Sequence, residues 1–213
     1  MRRDFDLIVR SGTIADGTGS ALRPADVAIR DGRIAAVGLV DGSAADEINA
    51  DGLLVTPGFV DIHTHYDGQA TWDSRLQPSS WHGVTTVVMG NCGVGFAPVR
   101  ENDRGRLIEL MEGVEDIPGA ALHEGLRWNW ESFANYLDAL DATPHDMDIA
   151  TQLPHGALRV YVMGERGAQL EAATDNDIAH MRALSADAIR AGVGCGVHES
   201  GSAGLVAGVD IGT

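Results

Sequence analysis

Three side chains have the types and spacing for metal or nucleophilic chemistry. His63 and His65 stand one residue apart at the end of the apolar run Val55-Thr-Pro-Gly-Phe-Val-Asp-Ile-His-Thr-His-Tyr-Asp67, and Cys92 lies within Gly90-Asn-Cys-Gly-Val-Gly95. Alternate side chains of a β-strand share a face, so the two imidazoles point together, about 6.6 Å apart along the strand, and can converge on one ion. The same parity places Phe59 and Asp61 with the histidines and Val60, Ile62 and Thr64 opposite. Both faces then carry groups suited to burial, which predicts a strand covered on each side, with Pro57 and Gly58 marking the turn into it. Cys92 follows Gly83-Val-Thr-Thr-Val-Val-Met89, a second β-branched strand. Three glycines around Asn91 and Cys92 let the backbone turn sharply and bring a side chain close to a ligand. A cysteine at such a turn is a candidate ligand or nucleophile, although most unpaired cysteines only fill core space.

Composition narrows the classes that can use this group. The chain has 213 residues, 44% hydrophobic and 22% charged, a globular balance rather than a disordered one. A formal charge of -16 repels phosphate backbones and anionic lipid surfaces, so neither nucleic acid nor a membrane is an expected partner. The apolar run near Met1 is too short for a signal peptide and no later stretch approaches transmembrane length, which makes the cytoplasm the default location. Two cysteines, Cys92 and Cys195, are too few for a disulfide framework. Oligomeric state has no signature here.

The elements that must position these residues follow from periodicity. Short strands are predicted at Asp6–Arg10, Thr13–Ala15, Asp26–Arg30, Arg33–Val37 and Leu53–Val55, and Asp31-Gly32 predicts an antiparallel two-residue hairpin. Leu107, Ile108, Leu110, Met111 and Val114 form one helical stripe. Phe133, Tyr136, Leu137 and Leu140 form another, at i, i+3, i+4 and i+7. Residues 115–127 between them read as a loop. A third strand is predicted over Met147–Leu153. Thr174-Asp-Asn-Asp177 reads as a helix start with a capping hydroxyl and acids at the positive dipole end, with Ile178, Met181, Leu184 and Ala188 buried and Gly192 placed to stop the helix.

The segment Pro-Gly-Phe-Val-Asp-Ile-His-Thr-His, ending at His65, resembles the first barrel strand of the amidohydrolase superfamily, metal-dependent hydrolases built on a (β/α)8 barrel. Gly83-Val-Thr-Thr-Val-Val-Met-Gly-Asn-Cys-Gly-Val-Gly-Phe-Ala-Pro98 and Trp128-Asn-Trp-Glu-Ser-Phe-Ala-Asn-Tyr-Leu-Asp-Ala-Leu140 narrow the resemblance to the N-acyl-D-amino-acid deacylases, or D-aminoacylases. The fold so implied is α/β: an incomplete (β/α)8 TIM-type barrel, its first few βα units over residues 57–192, preceded by part of a small β-sandwich domain over residues 1–56. In a barrel the end of the second strand lies beside that of the first, at the mouth where catalytic residues collect, which brings Cys92 toward His63 and His65. Thiolate with imidazole favours zinc. The resemblance implies one tight Zn2+ site and a second, weaker position for which His63 and His65 are the matching pair, with Asp61 orienting an imidazole from outside the ligand set. It further implies a small-molecule N-acyl-D-amino acid substrate, whose amide is attacked by zinc-activated water. His155, in a His-x-x-Leu-Arg pattern that looks like the family's, could face the mouth and touch substrate, but reads first as a hydrogen-bonded structural histidine and stays outside the metal set.

A complete barrel takes about 250 residues, more than the 158 that follow the first 55. The family's remaining zinc-binding histidines and the aspartate that accepts the proton have no match here, so the general base is expected beyond Thr213. Where the family has Gly-Ala-Leu-Gly-Phe-Ser-Thr-Ser-Arg, the chain reads Val193-Gly-Cys-Gly-Val-His-Glu-Ser-Gly-Ser202. Codons for Gly196-Val-His-Glu-Ser-Gly, read one base later, can encode Gly-Phe-Thr-Ser-Arg. Residues 193–213 are therefore expected to be an atypical, out-of-frame tail in which Cys195 and His198 have no site role, an expectation that resequencing the DNA tests. Two further readings stand beside the deacylase: a cyclic-amide hydrolase of the hydantoinase or dihydroorotase type, and a non-catalytic truncated fragment.

Overall fold

The computed structural model describes residues 3–193 and the backbone of residues 205–209. The reading frame of the tail, Cys195 and His198 lie outside the described residues. The chain divides into two compact units, Met1–Gly58 and Phe59–Thr213, so the division falls two residues later than the sequence placed it.

The first unit is one five-stranded mixed sheet. Its centre is β1 (Phe5–Ile14), antiparallel to β2 (Arg23–Arg30) and parallel to β4 (Ala44–Asn49) and β5 (Leu54–Val55); β3 (Arg33–Gly38) closes the edge beyond β2. The hairpin turns on Asp31 (φ 52°) and Gly32 (φ 70°), the positive angles a two-residue turn needs. Where the sequence pattern predicts two short strands, the structure has the one strand β1, which continues through a register shift between Val9 and Gly12. There Ser11 takes a φ of 59°, and its N–H donates to the Asp26 carboxylate at 2.8 Å. Strand β4 has no sequence signature, because Asp46 and Glu47 are poor strand residues. Its pairing is reinforced by Arg10, which reaches Glu47 at 3.1 Å and Asp26 at 3.3 Å. A small core of Ile8, Ala28 and Val40 lies against this sheet, and no second sheet faces it among the described residues of the unit.

The second unit carries a parallel sheet in sequential order, β6 (Phe59–Asp61), β7 (Val84–Met89), β8 (Asp148–Leu153) and β9 (Leu205–Val209). Helices α1 (Arg104–Glu115), α2 (Gly119–Gly125) and α3 (Phe133–Asp141) connect β7 to β8; α4 (His155–Met163), α5 (Glu165–Ala168) and α6 (Asp175–Val193) follow β8. The stripe Phe133, Tyr136, Leu137 and Leu140 is at most 4% exposed and packs in the same core as Val87, Met89, Ile149, Leu107, Ile108 and Met111. Each such side chain contributes about 1.5–3 kcal/mol of burial. Ser132 caps α3 by accepting the Asn135 N–H at 3.1 Å. Thr174 and Asp177 cap α6 reciprocally: the Thr174 hydroxyl accepts the Asp177 N–H, and the Asp177 carboxylate accepts the Thr174 N–H at 2.9 Å. No helix among the described residues is long and apolar enough to cross a membrane.

Three expectations are corrected here. Residues 115–127 are not all loop, because α2 forms within them, its first N–H groups helped by Glu112, whose carboxylate accepts the Gly119 N–H at 3.1 Å. Ile178 is 40% exposed, so the buried stripe of α6 rests on Ala188, with Met181 and Leu184 partly covered. The histidine strand is not covered on both faces: β6 ends at Asp61, has β7 as its only partner among the described residues, and leaves Phe59 62% and Ile62 73% exposed.

Candidate metal centre

Parallel strands end on the same side of a sheet, and the candidate residues sit just past two neighbouring ends. His63 and His65 follow β6, and Cys92 follows β7. The chain beyond Asp61 still tracks its neighbour, since the Thr64 N–H and hydroxyl both donate to the Val88 carbonyl at 2.9 Å. After β7 the backbone reverses through Gly90 (φ 83°), Cys92 (φ 54°) and Gly93 (φ 72°). A side chain at Gly90 would collide with the Gln152 carbonyl, so only glycine passes there. Buried Asn91 ties the parts together. Its amide donates to Thr64 O at 3.2 Å and Val88 O at 2.9 Å, and its oxygen accepts from Gln152 Nε2 at 2.7 Å. One side chain thus links the backbone between the two histidines, the end of β7 and the end of β8.

The turn presents Cys92 Sγ 3.3 Å from His63 Nε2, and the His63 and His65 rings meet edge to face with centroids 5.4 Å apart. One donor atom from each of His63, His65 and Cys92 lies within 4.8 Å of the others, so the structure brings all three predicted residues together. A tetrahedral zinc with bonds of about 2.3 Å to sulfur and 2.0–2.1 Å to nitrogen spaces its donors roughly 3.3–3.6 Å apart. The sulfur–imidazole separation of 3.3 Å is within about 0.3 Å of the roughly 3.6 Å such a sulfur–nitrogen pair takes, and a thiol with two imidazoles is donor chemistry that zinc takes readily. His63 and Cys92 are exposed and His65 is half-buried, leaving the group open to solvent.

Asp61 differs from its expected role. Its carboxylate accepts the His63 main-chain N–H at 3.2 Å, not a ring N–H, because the chain bends past the strand end and turns that amide back toward it. His155 begins α4 and lines a cavity of about 500 Å³ beside Cys92, shared with Val94, Arg159, Val160 and Leu170; it does not belong to the donor cluster.

Two residues of the site escaped the sequence reading. Glu115, the last residue of α1, places Oε2 3.2 Å from His65 Nε2, while His65 Nδ1 is buried without a hydrogen-bond partner. Burial holds the His65 pKa below its ordinary 6.5, against the opposing pull of Glu115, which favours the neutral ring that a metal ligand must be. Asp67 is 1% exposed, and its Oδ2 has no partner. Burial pushes its carboxyl up to about 7, although it accepts a hydrogen bond from the Gly90 main chain. The alternation His63, His65, Asp67 was the available signal for the second; Glu115 had none, since only the fold brings it near.

The chain belongs to the amidohydrolase family, whose family model matches residues 46–203. Among individual relatives it is 39% identical over 189 residues to D-aminoacylase of Alcaligenes xylosoxydans xylosoxydans, an alignment covering 88% of this chain and 36% of the relative. A solved D-aminoacylase with a binuclear metal centre superposes with a TM-score of 0.74 at 35% identity, over 93% of this chain and 40% of that one. N-acyl-D-glutamate deacylase of Bordetella bronchiseptica, solved with zinc and a phosphonate mimic of the tetrahedral intermediate, gives 0.68 at 31% identity over 87% and 36%. The chain thus spans well under half the length of these relatives.

Proposed function

We propose that this chain is the metal-binding first part of a zinc-dependent deacylase that hydrolyses the amide of N-acyl-D-amino acids, its second unit being the opening βα units of a (β/α)8 barrel and its first unit part of a flanking β-sandwich. The observation that carries this is the convergence of His63, His65 and Cys92 at adjacent strand ends. The similarity to deacylases, one of them solved with zinc, supports open-chain acyl amides over cyclic ones. Zinc, when bound, polarises an acyl carbonyl and lowers the pKa of water to about 7.

His63, His65 and Cys92 would hold the ion, with one tight site and a second, weaker one in this neighbourhood. Asp61 fixes the backbone that enters the pair, and Asn91 fixes the segment between the histidines relative to the thiol turn. The proton acceptor is not assigned to any described residue. The cavity beside Cys92 is largely apolar, with Arg159 and His155 in its wall, which suits a small amphiphilic substrate.

The test is metal binding by the purified chain after chelation. Zinc should bind, Cys92→Ala and His63→Ala should each weaken it by more than about tenfold, and cobalt in place of zinc should show a thiolate charge-transfer absorption that Cys92→Ala abolishes. Incubation with N-acetyl-D- and N-acetyl-L-amino acids and with a hydantoin reads the chemistry: free D-amino acid supports the deacylase, whereas ring opening alone overturns it. A chain that neither binds zinc nor turns over is the non-catalytic fragment instead.

A further inference from the structure

The cavity of about 500 Å³ beside Cys92 falls in the usual size range of small-molecule sites, about 300–1,000 Å³. Close backbone contacts build it. A side chain at Gly156 would collide with the Gly93 carbonyl, so α4 starts directly against the thiol turn, and one at Gly167 would collide with the Arg159 carbonyl, so α5 lies tight on α4. Val94 and Val160 are buried in the wall, whereas Val114 and Leu170 belong to it while 52% and 84% exposed. Leu170 follows the end of α5 with a φ of 58°, a left-handed position that glycine usually takes and that strains a bulky side chain. The chain thus holds an exposed leucine at the cavity against its backbone preference.

Arg159 adds a cation to this apolar wall. One of its guanidinium nitrogens donates to the Glu171 carbonyl at 2.6 Å, tying the residue after Leu170 to α4, and among the described residues no carboxylate pairs with it. The acid in the same wall, Glu171, is instead paired with Arg166 at 3.4 Å. We infer that the cavity is a binding site for an aliphatic carboxylate, its tail against Val94, Val114, Val160 and Leu170 and its head on Arg159. The acid that deacylation releases and the amino-acid half of an entering substrate share this chemistry. Both sources rest on the deacylase reading; the binding itself does not.

The experiment titrates the purified chain, with zinc removed by a chelator, with acetate, butyrate, hexanoate and octanoate, with octylammonium, and with N-acetyl-D-norleucine. Affinity should rise about fourfold for each methylene buried. The formal charge of -16 repels anions in general, so octanoate bound about tenfold or more tighter than octylammonium reports Arg159. Arg159→Gln should abolish that preference and Arg159→Lys should keep it; a ratio within one protein is not moved by a loss of folded fraction. Leu170→Gly should weaken octanoate several-fold, leave acetate unchanged and not lower the urea midpoint, since it relieves the backbone. Hexanoate bound tighter than N-acetyl-D-norleucine assigns the site to the released acid, and the reverse order assigns it to the amino-acid half. Equal affinities along the alkanoate series, octylammonium bound as tightly as octanoate, or a preference untouched by Arg159→Gln overturns the inference. Because zinc is absent, binding here can fail in a chain that takes up the metal and persist in one that does not, so the two readings fall separately.

Discussion

The buried carboxyl of Asp67 gives the sharpest quantitative prediction. It is 1% exposed, one oxygen has no partner, and burial raises its pKa from the ordinary 3.8 to about 7. The folded chain therefore holds a proton that the unfolded chain releases. A carboxyl shifted upward contributes its full stability below the unfolded value and loses it as pH rises through the folded one, so the window runs from about pH 4 to about pH 7. At 1.36 kcal/mol for each tenfold change in proton affinity, the span from 3.8 to about 7 amounts to something on the order of 4 kcal/mol. That is a large part of a typical stability of about 5–15 kcal/mol.

Asp67→Asn keeps the shape and removes the ionisation. Urea unfolding of both proteins across about pH 4 to 8, with a chelator present, should show wild-type stability falling by several kcal/mol relative to the variant, the two diverging through the window and running parallel above it. Other histidines and carboxylates titrate in both proteins, so the difference isolates residue 67. Parallel curves throughout, agreeing within about 0.5 kcal/mol, refute the reasoning and mean that the carboxylate finds a compensating charge or water on folding.

Two further perturbations follow. Thr174→Ala removes the hydroxyl that caps α6 and should cost about 1 kcal/mol, read as a lower urea midpoint with unchanged slope; Asp177, held at about 2 chiefly by the Thr174 main-chain N–H, contributes stability above its ordinary value of 3.8 that is lost as pH falls toward about 2, and Asp177→Asn should flatten that acid limb. Asn91→Ala removes three hydrogen bonds at about 0.5–1.5 kcal/mol each and should both destabilise the chain and weaken zinc binding; Leu140→Ala, destabilising by about 2–5 kcal/mol through a core cavity, should leave the zinc affinity of the folded chain unchanged, and equal zinc losses in the two variants would contradict a specific role for Asn91.

What could be read from the residues was what is local. The α3 stripe, the Asp31-Gly32 turn, the Thr174 cap and the β-branched run of β7 each declare themselves within one or two turns of chain, because burial period and backbone preference act at that range. Strand β4 did not, since Asp46 and Glu47 oppose a strand by propensity and are held in one by Arg10 from across the sheet. Helix α2 did not, because seven residues with glycine at both ends start on a carboxylate borrowed from α1. The histidine pair was legible from its spacing but its setting was not: β6 ends at Asp61, so His63 and His65 stand two and four residues beyond the regular strand. Glu115 was illegible in principle, since its contact with His65 is made by the path of α1 and not by any neighbouring residue.

The shape of the site follows from that division of labour. Cys92 in a left-handed backbone conformation is a strained choice, costing on the order of 1–3 kcal/mol for a residue with a side chain. The strain is tolerated because Gly90 and Gly93 take up the rest of the reversal and Asn91 anchors it to two strand ends and to the chain between the histidines. A relaxed turn would swing Sγ away from His63 Nε2, and the 3.3 Å approach would be lost. The conformation that weakens the fold at residue 92 is the one that brings a soft donor to the imidazoles, which is why the turn, and not the chain leaving β6, determines whether the thiol joins the histidine pair.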